Sequence, residues 1–244
     1  MTTVIADTTI SSPVPDALTP ENVLKNVFGY DEFREGQGDV IHHVCHGGDA
    51  LVLLPTGGGK SMCYQIPALI RAGTGIVVSP LISLMQDQVE QLKALGVKAA
   101  YLNSTLSQED QASISEQMVS NQLDLLYVSP ERLLQFGFQQ TLRTTEVALF
   151  AIDEAHCVSH WGHDFRHDYR ALGQIKARFP DIPVIGLTAT ADIATQSDIL
   201  TQLQLNDPLV YKGSFDRPNI RYRVMSKYKA FEQVVTYVKQ QEGS

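Results

Sequence analysis

Ala50-Leu51-Val52-Leu53-Leu54-Pro55-Thr56-Gly57-Gly58-Gly59-Lys60-Ser61 is the stretch on which the fold turns. An apolar run is followed by consecutive glycines, a lysine and a hydroxyl residue. The run reads as a buried strand, Ala50–Leu54, and the residues after it as a helix, Lys60–Ile70. Glycines between the two let the backbone bend so that N–H groups converge on an anion. The positive end of the helix points at the same place. Lys60 then reaches the β- and γ-phosphates of a nucleotide, and Ser61 offers a hydroxyl to Mg²⁺. The strict phosphate-loop pattern wants a small residue where Leu54 stands. The strand–loop–helix context is nevertheless the one the motif demands.

A second signal supplies the acidic half of such a site. Asp153-Glu154-Ala155-His156 directly follows the apolar run Val147–Ile152. Asp153 is placed to bind the metal and Glu154 to polarise the attacking water. Thr188-Ala189-Thr190 follows a third apolar run, Val184–Leu187, where small hydroxyls can sense the γ-phosphate and bond to the acidic motif.

Between these landmarks, strands and helices alternate. Strands are expected at 75–78, 99–102 and 123–128, and helices at 81–95, 108–120, 169–179 and 192–203. Strands apolar on both faces, alternating with helices, specify a mostly parallel sheet covered on both sides. The expected class is therefore an α/β phosphate-loop nucleotide fold of the RecA-like kind.

Two helix starts repeat one design. Val78-Ser79-Pro80 and Val128-Ser129-Pro130 each read as strand, serine cap and proline at the first helical position. Simple capping explains both. A second reading uses the free N–H groups and the hydroxyls of Ser79, Ser83 and Ser129 to hold nucleic-acid phosphates. After the acidic motif comes Cys157-Val158-Ser159-His160-Trp161-Gly162-His163-Asp164-Phe165-Arg166-His167. Trp161 and Phe165 can stack on bases while Arg166 meets phosphate. Four histidines, His156, His160, His163 and His167, share helix-like spacing, which raises a zinc site. Gly162 breaks the helix such a site would need.

Composition bounds the rest. The chain has 244 residues, 43% hydrophobic, with a net charge of −8. That balance argues against broad coating of DNA but permits a narrow nucleic-acid track. Three cysteines without paired spacing suit a reducing compartment. No apolar run can span a bilayer, and no leader is evident. The expected division is a tail over 1–18, a nucleotide-binding lobe over 19–208, and over 209–244 a linker strand and the first helix of a second lobe cut short.

In this order the motifs resemble the RecQ family of DNA helicases in the second helicase superfamily, from about Glu21 to Arg223. Phe28-Gly29-Tyr30 with Phe33-Arg34 and Gln37 looks like the family's adenine-recognition motif. Pro55–Ser61, Ser79–Leu84, Asp153–His156, Trp161–Arg166 and Gly186–Ala191 are similar to its motifs I, Ia, II, the aromatic-rich loop and motif III. Phe215–Ile220 resembles the segment entering the second motor lobe. Glu35, His160 and His167 stand where the family often has proline, glutamine and proline.

The resemblance implies ATP and Mg²⁺ as cofactors. Tyr30 would stack on adenine, and Arg34 and Gln37 would contact the nucleotide. Thr56, Gly57, Gly58, Gly59, Lys60 and Ser61 would hold the phosphates, and Ser61 and Asp153 the metal. Lys60, Asp153 and Glu154 would carry the chemistry. His156, Thr188 and Thr190 would couple it to DNA held by Ser79, Ser83, Ser129, Trp161, His163, Phe165 and Arg166. Single-stranded and forked DNA would be the partners, with 3′-to-5′ unwinding, repair and recombination as the role. The place would be the cytoplasm, associated with the nucleoid, if the source is bacterial, and otherwise the nucleus. Alternatives are another superfamily 2 translocase or RNA helicase lobe, a phosphotransferase on the same nucleotide fold, and a non-catalytic binding lobe.

Overall fold

A computed structural model describes residues 18–103, 105–160, 166–216, 220 and 224–241, with the His167 side chain left aside. It divides into two units, 1–214 and 215–244.

The first unit is built on a seven-stranded, wholly parallel sheet. Its strands are β1 (Ala50–Leu53), β2 (Thr74–Val78), β3 (Ala99–Leu102), β4 (Leu125–Val128), β5 (Val147–Ile152), β6 (Val184–Thr188) and β7 (Leu209–Lys212). They lie in the order β3-β4-β2-β5-β6-β1-β7. The helices are α1 (Pro20–Asn26), α2 (Gln37–Cys45), α3 (Met62–Ile70), α4 (Ile82–Ala94), α5 (Gln108–Val119), α6 (Pro130–Leu134), α7 (Phe136–Thr144), α8 (His167–Arg170), α9 (Gln174–Arg178) and α10 (Ile193–Gln202).

Side-chain alternation along β1 shows why the sheet needs two covers. Leu51 and Leu53 pack into one apolar core with Ile76, Phe150 and Ile152. Ala50 and Val52 pack into the other with Val77, Leu149 and Ile185. Every residue of β1, β2, β4, β5 and β6 is buried. Such strands survive only when helices close both faces.

Most expected elements form within a residue or two of their expected bounds. Thr19 caps α1 by accepting from the Asn22 N–H, with Pro20 at the first helical position. Several expectations need correction. Ser79 does not cap α4: the helix begins at Ile82 after Leu81, and the Ser79 side chain is buried without a hydrogen-bond partner among the described residues. Ser129 does cap, accepting from the Arg132 N–H. The two look-alike helix starts are therefore different structures.

The helix expected over 169–179 is broken into α8, a 3₁₀ turn at Ala171–Gly173, and α9. Gly173 lies so close to the Gln202 carbonyl that a Cβ would sit 2.0 Å from that oxygen. Helix α7 went unforeseen. The strand over 209–212, expected as a linker, pairs with β1 and completes the sheet.

One buried acid organises the amino-terminal rim. Asp49 is 2% exposed. Its Oδ1 accepts from Lys176 Nζ and the Val184 N–H, each at 2.8 Å, and its Oδ2 accepts from the Asn206 N–H at 2.8 Å. Its carbonyl accepts from the Leu209 N–H, and lies 2.9 Å from His43 Nε2. One residue thus ties α2, α9, β6 and β7 to the start of β1.

The second unit contains α11 (Ala230–Gln241), in which Phe231, Val234 and Val238 form one apolar stripe.

Candidate nucleotide site

Three neighbouring strands, β5, β6 and β1, deliver the acidic motif, the threonine run and the glycine loop to one rim of the sheet. Ligands bind at the carboxyl ends of strands in open parallel sheets. Gly57 and Gly59 adopt φ of 78° and 82°, which side chains resist. A Cβ on Gly58 would lie 2.8 Å from the Pro55 carbonyl, whose oxygen accepts from the Gly58 N–H. Three glycines are therefore required by the backbone, and Thr56 and Gly57 stand at the exposed tip. Lys60 Nζ donates to the carbonyls of Leu54 at 2.9 Å and Pro55 at 3.4 Å, which holds the ammonium on the loop. Ser61 follows at the start of α3, with its hydroxyl free of any capping bond.

The residues expected to read adenine brace this loop. Arg34 Nη1 donates to the Gly57 carbonyl, and Gln37 Nε2 donates to the Gly59 carbonyl at 3.0 Å. Gln37 Oε1 accepts from the Arg34 N–H at 2.8 Å, so the two form one bracket. Tyr30 is 55% exposed and shares an open cavity of about 360 Å³ with Phe28, Ser61, Met62 and Gln65. An exposed ring beside a groove is a platform on which a base can stack.

Asp153 ends β5. Burial, reinforced by the negative charge of Glu154, pushes its carboxyl up to about 6. A desolvated carboxylate is a hard-oxygen donor of the kind Mg²⁺ accepts, and a cation there would relieve the cost of burial. Ser61 and Asp153 are the residues that would hold it.

Glu154 takes left-handed backbone, φ 49°. Its Oε2 lies 3.3 Å from His156 Nδ1, and the same Nδ1 lies 3.0 Å from Thr188 Oγ1. Thr188 Oγ1 in turn donates to the Thr190 carbonyl and accepts from the Thr190 N–H, both at 3.2 Å. The contact of Cys157 with Nε2 and that of Glu154 with Nδ1 push the imidazole up to about 9. His156, Thr188 and Thr190 thus form one line joining the acidic motif to the β6 end.

Trp161, His163 and Phe165 lie outside the described residues. The ends of their loop are tied to the acidic motif. The Arg166 N–H donates to the Cys157 carbonyl at 3.0 Å, and Tyr169 OH donates to the Asp153 carbonyl at 3.0 Å. Asp198 accepts from Ser159 Oγ and the His160 N–H, and Arg170 donates to the His160 ring. Sequence reading missed Tyr169, Arg170 and Asp198, which carry no motif signal of their own. Of the remaining expected DNA contacts, Ser83 is exposed on α4, Ser129 and Arg166 are half-buried, and Ser79 is buried. Among the described residues no group of histidine, cysteine or acidic side chains has the makings of a metal cluster. The histidine-spaced zinc reading has no support there.

A rim-bound glycine loop, an acidic strand end and a threonine run, on a parallel RecA-like sheet, are the features of a helicase-type lobe. Residues 34–199 match the DEAD/DEAH box helicase family, and the chain belongs to that family. It is 52% identical over 237 residues to an ATP-dependent DNA helicase RecQ of Haemophilus influenzae, covering 97% of this chain and 38% of that protein. It is 43% identical over 215 residues to a probable ATP-dependent DNA helicase RecS of Bacillus subtilis, covering 88% of this chain and 43% of the relative. The chain therefore spans about two fifths of these relatives' length. Solved structures agree on the fold. A hypothetical ATP-dependent RNA helicase from Sulfolobus tokodaii superposes with a TM-score of 0.58 at 22% identity, over 78% of this chain and 57% of that one. The DUF1998 helicase MrfA gives 0.66 at 17% identity, over 93% and 38%.

Proposed function

We propose that this chain is the ATP-binding motor lobe of a RecQ-like DNA helicase that moves 3′ to 5′ on single-stranded DNA and opens forked duplex. The observation that carries the reading is the line from Glu154 through His156 to Thr188, which joins the ends of the neighbouring strands β5 and β6 beside the strand that leads into the phosphate loop. It is a ready route by which DNA contact can alter water activation.

Mg²⁺, when bound, neutralises charge on the phosphates and orients them. The chain's own groups do the rest. Tyr30 stacks on the base, the loop N–H groups and Lys60 hold the phosphates, and Ser61 and Asp153 keep the metal in place. Glu154 takes a proton from the attacking water. Trp161, Phe165 and Arg166 engage the strand, together with Ser83 and Ser129. Residues from Phe215 onward lead into a second RecA-like lobe, which supplies the remaining charge stabilisation in cis. Its role in DNA repair and recombination puts it in the cytoplasm on the nucleoid if the source is bacterial, and otherwise in the nucleus.

Two outcomes test this. Lys60→Ala is expected to weaken Mg·ATP binding by roughly 10²-fold, since a charge-assisted contact worth about 3 kcal/mol is lost. Isothermal calorimetry reads it directly. The 244-residue chain itself is expected to hydrolyse ATP slowly and not to unwind duplex, because the transition state needs donors from two lobes. Hydrolysis stimulated by RNA and not by single-stranded DNA would overturn the DNA assignment.

A further inference from the structure

The last strand of the first unit touches the adenine segment. Strand β7 pairs with β1 in register, Tyr211 opposite Val52. Alternation along β7 turns Leu209 and Tyr211 toward the core face that also carries α2, leaving Val210 and Lys212 exposed. Tyr211 OH donates to the Glu35 carbonyl at 2.6 Å. Its ring lies against Gly36, where an added Cβ would sit 2.1 Å from Cε2. Gly36 itself is left-handed, φ 68°. A side chain there is excluded twice, by its backbone and by the tyrosine. Two residues on, the Gly213 N–H donates to the Leu53 carbonyl, and a Cβ on Gly213 would lie 2.4 Å from Leu54 at the root of the phosphate loop.

The segment Arg34–Gln37 is therefore held from two sides. Arg34 and Gln37 grip the loop carbonyls of Gly57 and Gly59, while Tyr211 grips the Glu35–Gly36 peptide between them. The phosphate loop has its own internal bonds, from Gly58 to Pro55 and from Lys60 to Leu54. The Glu35–Gly36 turn, outside any helix, is held by the bracket, by the tyrosine, and by backbone bonds from the Gln37 N–H to the Arg34 carbonyl and from the Val40 N–H to the Gly36 carbonyl; the tyrosine supplies the bond to the Glu35 carbonyl.

We propose that Tyr211 is a positioning residue for nucleotide-base recognition, setting the Arg34–Gln37 segment through its hydroxyl and ring. The inference rests on the nucleotide reading above and extends it to a residue far along the chain, with no motif of its own. A contact that acts on the base segment alone should affect ATP and leave a base-free triphosphate untouched.

The test compares Mg·ATP with Mg·tripolyphosphate on the 244-residue chain, by calorimetry. Tyr211→Phe removes one oxygen and keeps the ring on Gly36, so the fold is retained. It is expected to weaken ATP about 3- to 10-fold, the value of one hydrogen bond, with tripolyphosphate changed less than about two-fold. Tyr211→Ala should widen the difference between the two ligands. Equal losses for both ligands would overturn the proposal, because Tyr211 would then support the loop or the fold in general. No loss for either ligand would overturn it as well, while leaving the nucleotide site standing. Wild-type protein that binds neither ligand would sink the nucleotide reading and this inference with it.

Discussion

Glu154→Gln is expected to lower the rate of ATP hydrolysis about 10²- to 10⁴-fold, the usual contribution of a positioned general base. Affinity for Mg·ATP should stay within about two-fold, since the lost interaction is made only in the transition state. The geometry makes this substitution informative. A glutamine keeps an oxygen that can accept from His156 Nδ1, now 3.3 Å from the Glu154 carboxylate. The link to Thr188, 3.0 Å from the same nitrogen, is therefore preserved. What disappears is the capacity to take a proton. Steady-state hydrolysis and equilibrium binding, measured on the same preparations, separate the two effects. A variant that hydrolyses ATP at the wild-type rate would remove Glu154 from the chemistry.

The second large effect is on stability. Asp49→Ala is expected to cost about 3–5 kcal/mol, because it leaves the Lys176 ammonium buried without its partner. The Val184 and Asn206 N–H groups lose their acceptor in the same step. For a chain of this size that corresponds to a fall in Tm of roughly 6–20 °C. Differential scanning calorimetry measures it. Lys176 is itself mostly buried, 2.8 Å from the carboxylate, so solvent does little to relieve the stranded charge. A fall of only a degree or two would mean that the amino-terminal rim does not depend on this acid.

Legibility followed the length scale of each signal. Strands such as Val147–Ile152 are apolar throughout and declare themselves, as do the glycines whose positive φ the loop requires. The resemblance gives Thr188 and His156 a shared role, and the fold brings them to 3.0 Å. Other features depend on partners distant in sequence. Asp49 looks like an ordinary loop acid until Lys176, Val184 and Asn206 arrive around it. Tyr211 looks like one residue of a short edge strand until its ring meets Gly36. Ser79 and Ser129 share a local pattern, strand-Ser-Pro, yet only Ser129 caps a helix. The α4 backbone starts two residues later, at Ile82, so Ser79 is left beyond the reach of any free N–H of that helix.

The reading of Arg34 and Gln37 shows the same limit. The resemblance implies that both contact a nucleotide, and the structure puts part of their hydrogen-bonding capacity on the loop carbonyls. The segment proposed to read the base is thereby a neighbour of the phosphate loop, which no spacing rule announces.

The most direct measurement is calorimetric titration of the folded chain with ATP in the presence of magnesium, repeated with excess chelator and with Lys60→Ala. Saturable heat from the wild type, lost in both controls, is the predicted result. Folded wild-type protein that gives no heat of binding, or binding that survives both controls unchanged, would contradict the claim that glycine amides, Lys60, Ser61 and Asp153 together enclose a metal-bound triphosphate.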